Sequence, residues 1–389
     1  MKSRDDLFLL IKSFSPAEKR RLGMLPLKHD YQRLFKALNE SQSFDEKAFL
    51  ATEAGKEFVG KMPRKKHELY EKILQNVRAF RQPLGRQKAM EIQLREQLED
   101  VLFLRDKKLF EQSNRRLSRV KGKAISYHLH ELLIVILRIE RSLLLRIQPV
   151  GYVKKLWEIH KEIEEASMVI KNKGQMLYFY DQYFIQVIQH KKLNAAIDAN
   201  FLKTLITSPE LKDPNGCLSF EAESNFYFCH AIHHYLLGNA QATWEFSKTL
   251  YLRWEEEREI KKVKAIEYRN VINNFLIFSN YASRYEGFDC ALSRMLEGPF
   301  YSDEEEASAI DNAIHVNIQR HLHCCNWDAA KATLQEYRRK LDFISEHLIP
   351  SRIMVHYLSF SRLSLVLEDW TGAYSWAKKV NTAREGKEH

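Results

Sequence analysis

The sequence predicts an all-α protein, a solenoid of antiparallel helical hairpins with a small helical cap at its N-terminal end. Three observations point there. Glycine (13) and proline (9) together make up only 22 of 389 residues, so turns are few and the elements between them long. Apolar residues recur at helical spacing along most of the chain. A six-residue turn motif also returns at intervals that suit a pair of helices and a joint.

Residues 1–88 form the first part, a basic helical domain or cap. Ser15-Pro16-Ala17-Glu18 has the form of a capping box with proline at the first helical position. Gly23 and Pro26 end that helix, and Ser43-Phe44-Asp45-Glu46 marks another start. Tyr31, Leu34, Phe35 and Leu38 fall on one helical face, as do Leu69, Ile73, Leu74, Val77 and Phe80. Pro83-Leu84-Gly85 then punctuates the chain. Residues 89–389 carry longer stripes. Met90, Leu94, Leu98, Val101 and Leu102 form one, and the run from Leu129 to Ile147 is broad enough for a helix buried on more than one side. Prolines 149, 209, 214, 299 and 350 interrupt none of these stripes and read as joints.

The turn motif is clearest as Glu286-Gly287-Phe288-Asp289-Cys290-Ala291, Cys325-Asn326-Trp327-Asp328-Ala329-Ala330 and Glu368-Asp369-Trp370-Thr371-Gly372-Ala373. Weaker copies begin at Lys108, Lys191 and Gly238. Third positions fall at 110, 193, 240, 288, 327 and 370, and the long first gap leaves room for a degenerate copy near 155. A small residue at the sixth position permits two helices to approach closely beside their turn, while an aromatic at the third would plug the end of the pair. Each pair leaves apolar faces that its neighbours bury by stacking.

These turns resemble those of the tetratricopeptide-repeat (TPR) superfamily, over about residues 89–385. The period of 39–48 residues exceeds the ~34 of that family, so the helices here are longer. The N-terminal run through Leu7-Phe8, Ile11-Lys12-Ser13 and Ser15-Pro16-Ala17-Glu18-Lys19-Arg20 is similar to the start of a group of uncharacterised bacterial TPR-like proteins. The resemblance implies a right-handed superhelix of six or seven hairpins whose first helices line a concave groove. It implies a non-catalytic protein- or peptide-binding scaffold.

Charge is uneven. Residues 1–125 hold 29 Lys+Arg against 17 Asp+Glu, a net of +12, within a total of +10 for the chain. The remainder is therefore slightly acidic. Such asymmetry suits an anionic partner, and the alternative function is a regulator whose residues 1–125 bind nucleic acid while the repeats sense a partner. Arg64, Lys65, Lys66, Arg78 and Arg81 are the candidate anion-binding residues. The five cysteines are odd in number and irregularly spaced, which argues against a disulfide framework. The apolar run Leu7 to Ile11 is too short for a signal-peptide core. Five charges interrupt Leu129 to Ile147, from Glu131 to Arg146, which excludes a simple membrane span. A cytoplasmic protein without membrane contact is expected.

No enzyme, cofactor or metal is expected. Gly55-Lys56-Glu57-Phe58-Val59-Gly60-Lys61 has Walker spacing, but Met62 stands where a P-loop needs Ser or Thr, and Pro63 follows. His230 with His234, and His321, His323, Cys324 and Cys325, have partial metal-ligand spacing without a completing ligand. Buried ring packing explains them more simply. The last pattern is an asparagine register. Counting back from the turns places Asn225, Asn273 and Asn312 at equivalent positions near the starts of three first helices, with Asn270 and Asn274 nearby. A groove asparagine holds a peptide backbone through its paired donor and acceptor. Tyr227, Tyr268, Arg269 and Tyr281 would add aromatic and cationic contacts. The competing reading is that these asparagines cap helices.

Overall fold

The computed structural model describes residues 6–14, 19–20, 22, 29–41, 45–52, 55–80, 86–193, 197–348 and 350–385. Among them the ordered elements are eighteen α-helices and three short 3-10 turns, with no strand. The chain divides into two compact units, Met1–Pro83 and Leu84–His389.

The first unit holds α1 (Asp6–Ser13), α2 (His29–Glu40), α3 (Glu46–Ala51) and α4 (Met62–Phe80). The stripe of Tyr31, Leu34, Phe35 and Leu38 is buried against Leu7, Ile11, Phe58, Leu69 and Ile73. Asp45 caps α3 by accepting from the amides of Lys47 and Ala48. The Walker-like segment is a piece of this core. Gly55 is buried where a Cβ would lie 1.9 Å from the carbonyl oxygen of Phe49, a short 3-10 turn covers 56–58, and Phe58 fills the interior. The proposed capping box at 15–18, the breaks at Gly23 and Pro26, and the punctuation at 83–85 lie outside the described residues.

The second unit runs α5 (Arg86–Asp106), α6 (Phe110–Ser126), α7 (His130–Ile147), α8 (Tyr152–Leu193), α9 (Ala199–Ile206), α10 (Phe220–Leu236), α11 (Ala240–Glu256), α12 (Arg258–Val263), α13 (Ala265–Ala282), α14 (Phe288–Leu296), α15 (Asp303–His323), α16 (Trp327–His347), α17 (Pro350–Val366) and α18 (Trp370–Glu385). Each long helix packs chiefly on its neighbours in the chain. The pairs are antiparallel, because their contacts lie symmetrically about the turn. Asp100 meets Arg116 across a turn centred on 108, and Glu223 meets Arg253 across one centred on 238.

One backbone device makes these turns. Five of them are three residues long, at 107–109, 127–129, 237–239, 324–326 and 367–369. The middle residue is left-handed in every case: Lys108, His128, Gly238, Cys325 and Glu368. The residue after it donates to the carbonyl five back, as in Asn239 N–H to His234 O at 2.9 Å and Asn326 N–H to His321 O at 2.8 Å. That is the Schellman closure, which satisfies carbonyls orphaned at a helix end. The same residue then becomes the N-cap of the next helix, and Asn239, Asn326 and Asp369 do so with their side chains.

The turn motif therefore has a physical meaning, with two corrections. Third positions 110, 240, 288, 327 and 370 are each the first residue of a helix. The small sixth residues Ser113, Thr243, Ala291, Ala330 and Ala373 are all buried beside the turn, and Ser113 Oγ donates across to Val101 O. The third-position aromatic, however, is no general plug. Phe288 is buried, but Trp327 and Trp370 are 41% and 68% exposed. The copy starting at Lys191 also departs: its third position, Leu193, ends α8, which runs unbroken for 42 residues, rather than starting a helix, and 194–196 lie outside the described residues. The degenerate copy expected near 155 has its counterpart in the turn at 148–151, before α8. α7 buries Leu132, Ile136 and Leu143 on one side and Leu137 and Leu144 on another, the two-sided burial its broad stripe implies. The prolines at 149, 209, 214, 299 and 350 all fall between helices or at a first position.

Candidate functional site

The asparagines lie within helices, beyond their starts. Ser219 caps α10 and Ser302 caps α15, each accepting from the amide three residues on. Asn225, Asn270, Asn273, Asn274 and Asn312 sit one or more turns further in, so capping does not account for them. Each is half-buried or exposed.

Two clefts collect most of these residues. The first, about 240 Å³, lies between α8, α10, α11 and α13 and is lined by Asn225, Asn270 and Asn274, by Leu177, Tyr180, Phe228, Val271 and Trp254, and by Glu221, Lys264 and Glu267. The rings of Tyr180 and Phe228 stack at 4.9 Å. The second, about 270 Å³, lies between α13 and α15 and is lined by Asn270, Arg269, Asn312, Glu304 and Glu305 among others. Asn270 belongs to both. Asn273 lines neither cleft: it is one position before Asn274, and one step rotates about 100° around a helix of 3.6 residues per turn. Tyr227 also stays out of both, packed edge-on against Phe226 in the core.

Within the described residues, Asn225, Asn270, Asn274 and Asn312 make no hydrogen bond, in contrast with Asn280, whose Nδ2 donates to Val316 O at 2.9 Å between helices. Of the other polar groups of the lining, Lys264, Glu221, Arg269 and Glu305 are committed. Lys264 pairs with Glu221 at 2.6 Å. Burial works to raise the Glu221 carboxyl, but Lys264 outweighs it and holds the group below the usual range. Arg269 is buried, pairs with Glu305 at 3.1 Å, donates to Pro299 O at 2.8 Å and lies over the Phe300 ring. Burial lowers its pKa from the ordinary arginine value. Arg269 is thus a structural tie between α13 and α15 as well as part of the cleft wall. Tyr268 is also committed, its hydroxyl donating to Glu255. Tyr281 is partly exposed and packs edge-on to Tyr235.

Arg64, Lys65 and Lys66 sit on α4 with carboxylates around them. Lys65 pairs with Asp30 at 2.8 Å, Lys66 with Glu46 at 2.7 Å and Arg64 with Glu68 at 2.8 Å. The Tyr31 hydroxyl and Arg64 hold the Glu68 carboxyl down to about 2. Arg78 lies on α4, and Arg81 lies outside the described residues. In the second unit Lys121 is similarly taken up between Glu140 and Glu162.

The first histidine cluster is a packing element; the second is not, since His323, Cys324 and Cys325 are exposed. His230 Nε2 lies 2.9 Å from Leu211 O, and both His230 and His234 stack on Phe246. Among the described residues no three His, Cys, Asp or Glu side chains are grouped to hold a metal ion. Nor is any helix among them long and apolar enough to cross a membrane.

Tyr180, Phe228 and Trp254 are the lining residues that the asparagine register did not find. They come from two helices outside the register and one within it, and no local spacing connects them. Asn270 and Asn274 do carry a local signal, their i,i+4 spacing on one helical face. No family model, curated protein or solved structure matches the chain.

Proposed function

We propose that this chain is a non-catalytic scaffold. Its second unit is a TPR-like, right-handed array of hairpins that holds an extended peptide of a partner protein along the face formed by α10, α13 and α15. One observation carries the reading: four asparagine amides on three successive first helices line two adjoining clefts and have no hydrogen-bond partner among the described residues. Every residue of an extended peptide offers a backbone donor and acceptor, and a carboxamide answers both at once. The nucleic-acid alternative draws less support, because Arg64, Lys65 and Lys66 already face Glu68, Asp30 and Glu46.

The test is selection of random phage-displayed dodecapeptides on the full chain, followed by fluorescence anisotropy with the strongest synthetic peptide. Asn225→Ala, Asn270→Ala and Asn274→Ala should each weaken binding by about 2- to 10-fold, the equivalent of a net hydrogen bond of about 0.5–1.5 kcal/mol. Unchanged affinity in the triple variant, with helical circular dichroism retained, would refute the reading.

A further inference from the structure

We propose that the peptide recognised by this groove is cationic: it carries a Lys or Arg side chain beside an apolar one, the apolar side chain entering the first cleft and the cation meeting Glu267 or Glu304. The inference rests on the peptide-groove reading and specifies its ligand.

The charges of the two linings follow the same plan. In the first cleft the one cation is Lys264, and Glu221 takes it up at 2.6 Å. In the second the one cation is Arg269, held by Glu305 and by Pro299 O. Each cleft then contains one further carboxylate, Glu267 and Glu304 respectively, both exposed and without an ion-pair partner among the described residues. Among the described residues the two linings thus offer two unbalanced negative charges and no free positive one. An acidic peptide would meet like charge at both clefts, whereas a basic one completes two half-built pairs.

The shape and the remaining chemistry select a peptide over a small polycation. Leu177, Tyr180, Phe228 and Val271 make an apolar wall in the first cleft that a polyamine would leave dry and unmatched. The amides of Asn225, Asn270, Asn274 and Asn312 present acceptors and donors together, while a polyamine has donors alone. A volume of about 240 Å³ is below the ~300 Å³ at which sites for whole small ligands begin, so it suits a single side chain.

The experiment immobilises the full chain and offers degenerate heptapeptide mixtures whose central position is fixed in turn as Lys, Arg, Gln or Glu. The wild type should retain the Lys and Arg mixtures about 5- to 10-fold better than the Glu mixture, less so at high salt, as befits exposed ion pairs. E267Q/E304Q should retain the Gln mixture as the wild type does and lose the preference. E267K/E304K should reverse it toward Glu. A second series fixes Leu, Phe or Asn, and Leu or Phe should be favoured. Equal retention of all central residues by the wild type, or a cationic preference that survives both double variants, would overturn the inference while leaving the groove reading intact. Equal retention of Asn with Leu and Phe would overturn its apolar half. Failure of the wild type to retain any mixture would remove both readings together.

Discussion

Acid should weaken the second unit before it protonates most of the carboxylates, and His315 is the residue through which to see it. Its ring lies on α15, stacked on His356 at 4.1 Å and 13°. His356 Nδ1 in turn lies 2.8 Å from Asp311 Oδ2, and the Tyr337 hydroxyl donates to the other carboxylate oxygen at 3.1 Å. Burial, with His356 beside it, pushes His315 down to about 3. An unfolded histidine titrates at about 6.5. Between those values the unfolded chain binds the proton and the folded one does not, so stability falls as pH drops below 6.5 and is undiminished above it. At pH 5 the difference amounts to about 2 kcal/mol for this group, from 1.36 kcal/mol per unit over the 1.5 units below 6.5. The buried His233, which burial holds at about 4 beside the Tyr183 hydroxyl, should add a similar loss. Against a typical total of 5–15 kcal/mol, the two together are substantial. All six tryptophans belong to the second unit, so urea titration followed by tryptophan emission reads that unit selectively. His315→Gln removes one titrating group. Whatever it costs at pH 7.5, the gap between wild type and variant should move by about 2 kcal/mol in the variant's favour at pH 5. A gap that stays constant between pH 7.5 and 5 would refute the assignment of His315 as half-buried and neutral.

Two further expectations concern the turns and the first unit. Asn239→Ala should destabilise the second unit by about 1 kcal/mol through loss of its cap, whereas Leu109→Asn, at a cap position with no side-chain bond and 42% exposure, should stabilise it by a similar amount; urea midpoints with opposite signs are the check. Gly55→Ala would ordinarily stabilise through the unfolded chain by about 0.4–1 kcal/mol. Here the Cβ would meet the Phe49 carbonyl at 1.9 Å, so a loss of about 1–3 kcal/mol is expected instead, seen as a lower thermal midpoint by circular dichroism and faster proteolysis within residues 1–83.

Much of the architecture was legible because its causes are local. Periodicity found the helices, and the small residues at 113, 243, 291, 330 and 373 marked where helices close on one another. The left-handed turn residue was harder to read, since Gly238 alone of the five is glycine and Lys108, His128, Cys325 and Glu368 adopt that conformation without announcing it. The turn copy at 191 has the right residue types, yet its third position, Leu193, ends α8 rather than starting a helix. The exposed Trp327 and Trp370 show that an aromatic at a helix start need not face its partner helix. In the groove the register found Asn225 and Asn312 but chose Asn273 where Asn274 faces the cleft, because counting along the chain does not give the rotation of α13 about its axis.

The sequence by itself determined the helical class, the helix starts after four of the five tight turns, at 110, 240, 327 and 370, and the basic bias of the first third, since each depends on neighbours in the chain or on composition. Tertiary structure decided which of those features are free to act. Lys65 is neutralised by Asp30, 35 positions away, and Lys264 by Glu221, 43 away, while the side-chain amides on α10 and α13 have no hydrogen-bond partner among the described residues and lie beside aromatics from α8 and α11. Pairing of that kind depends on which helix faces packed together and at what rotation, a property of the buried contacts that no stretch of sequence carries alone.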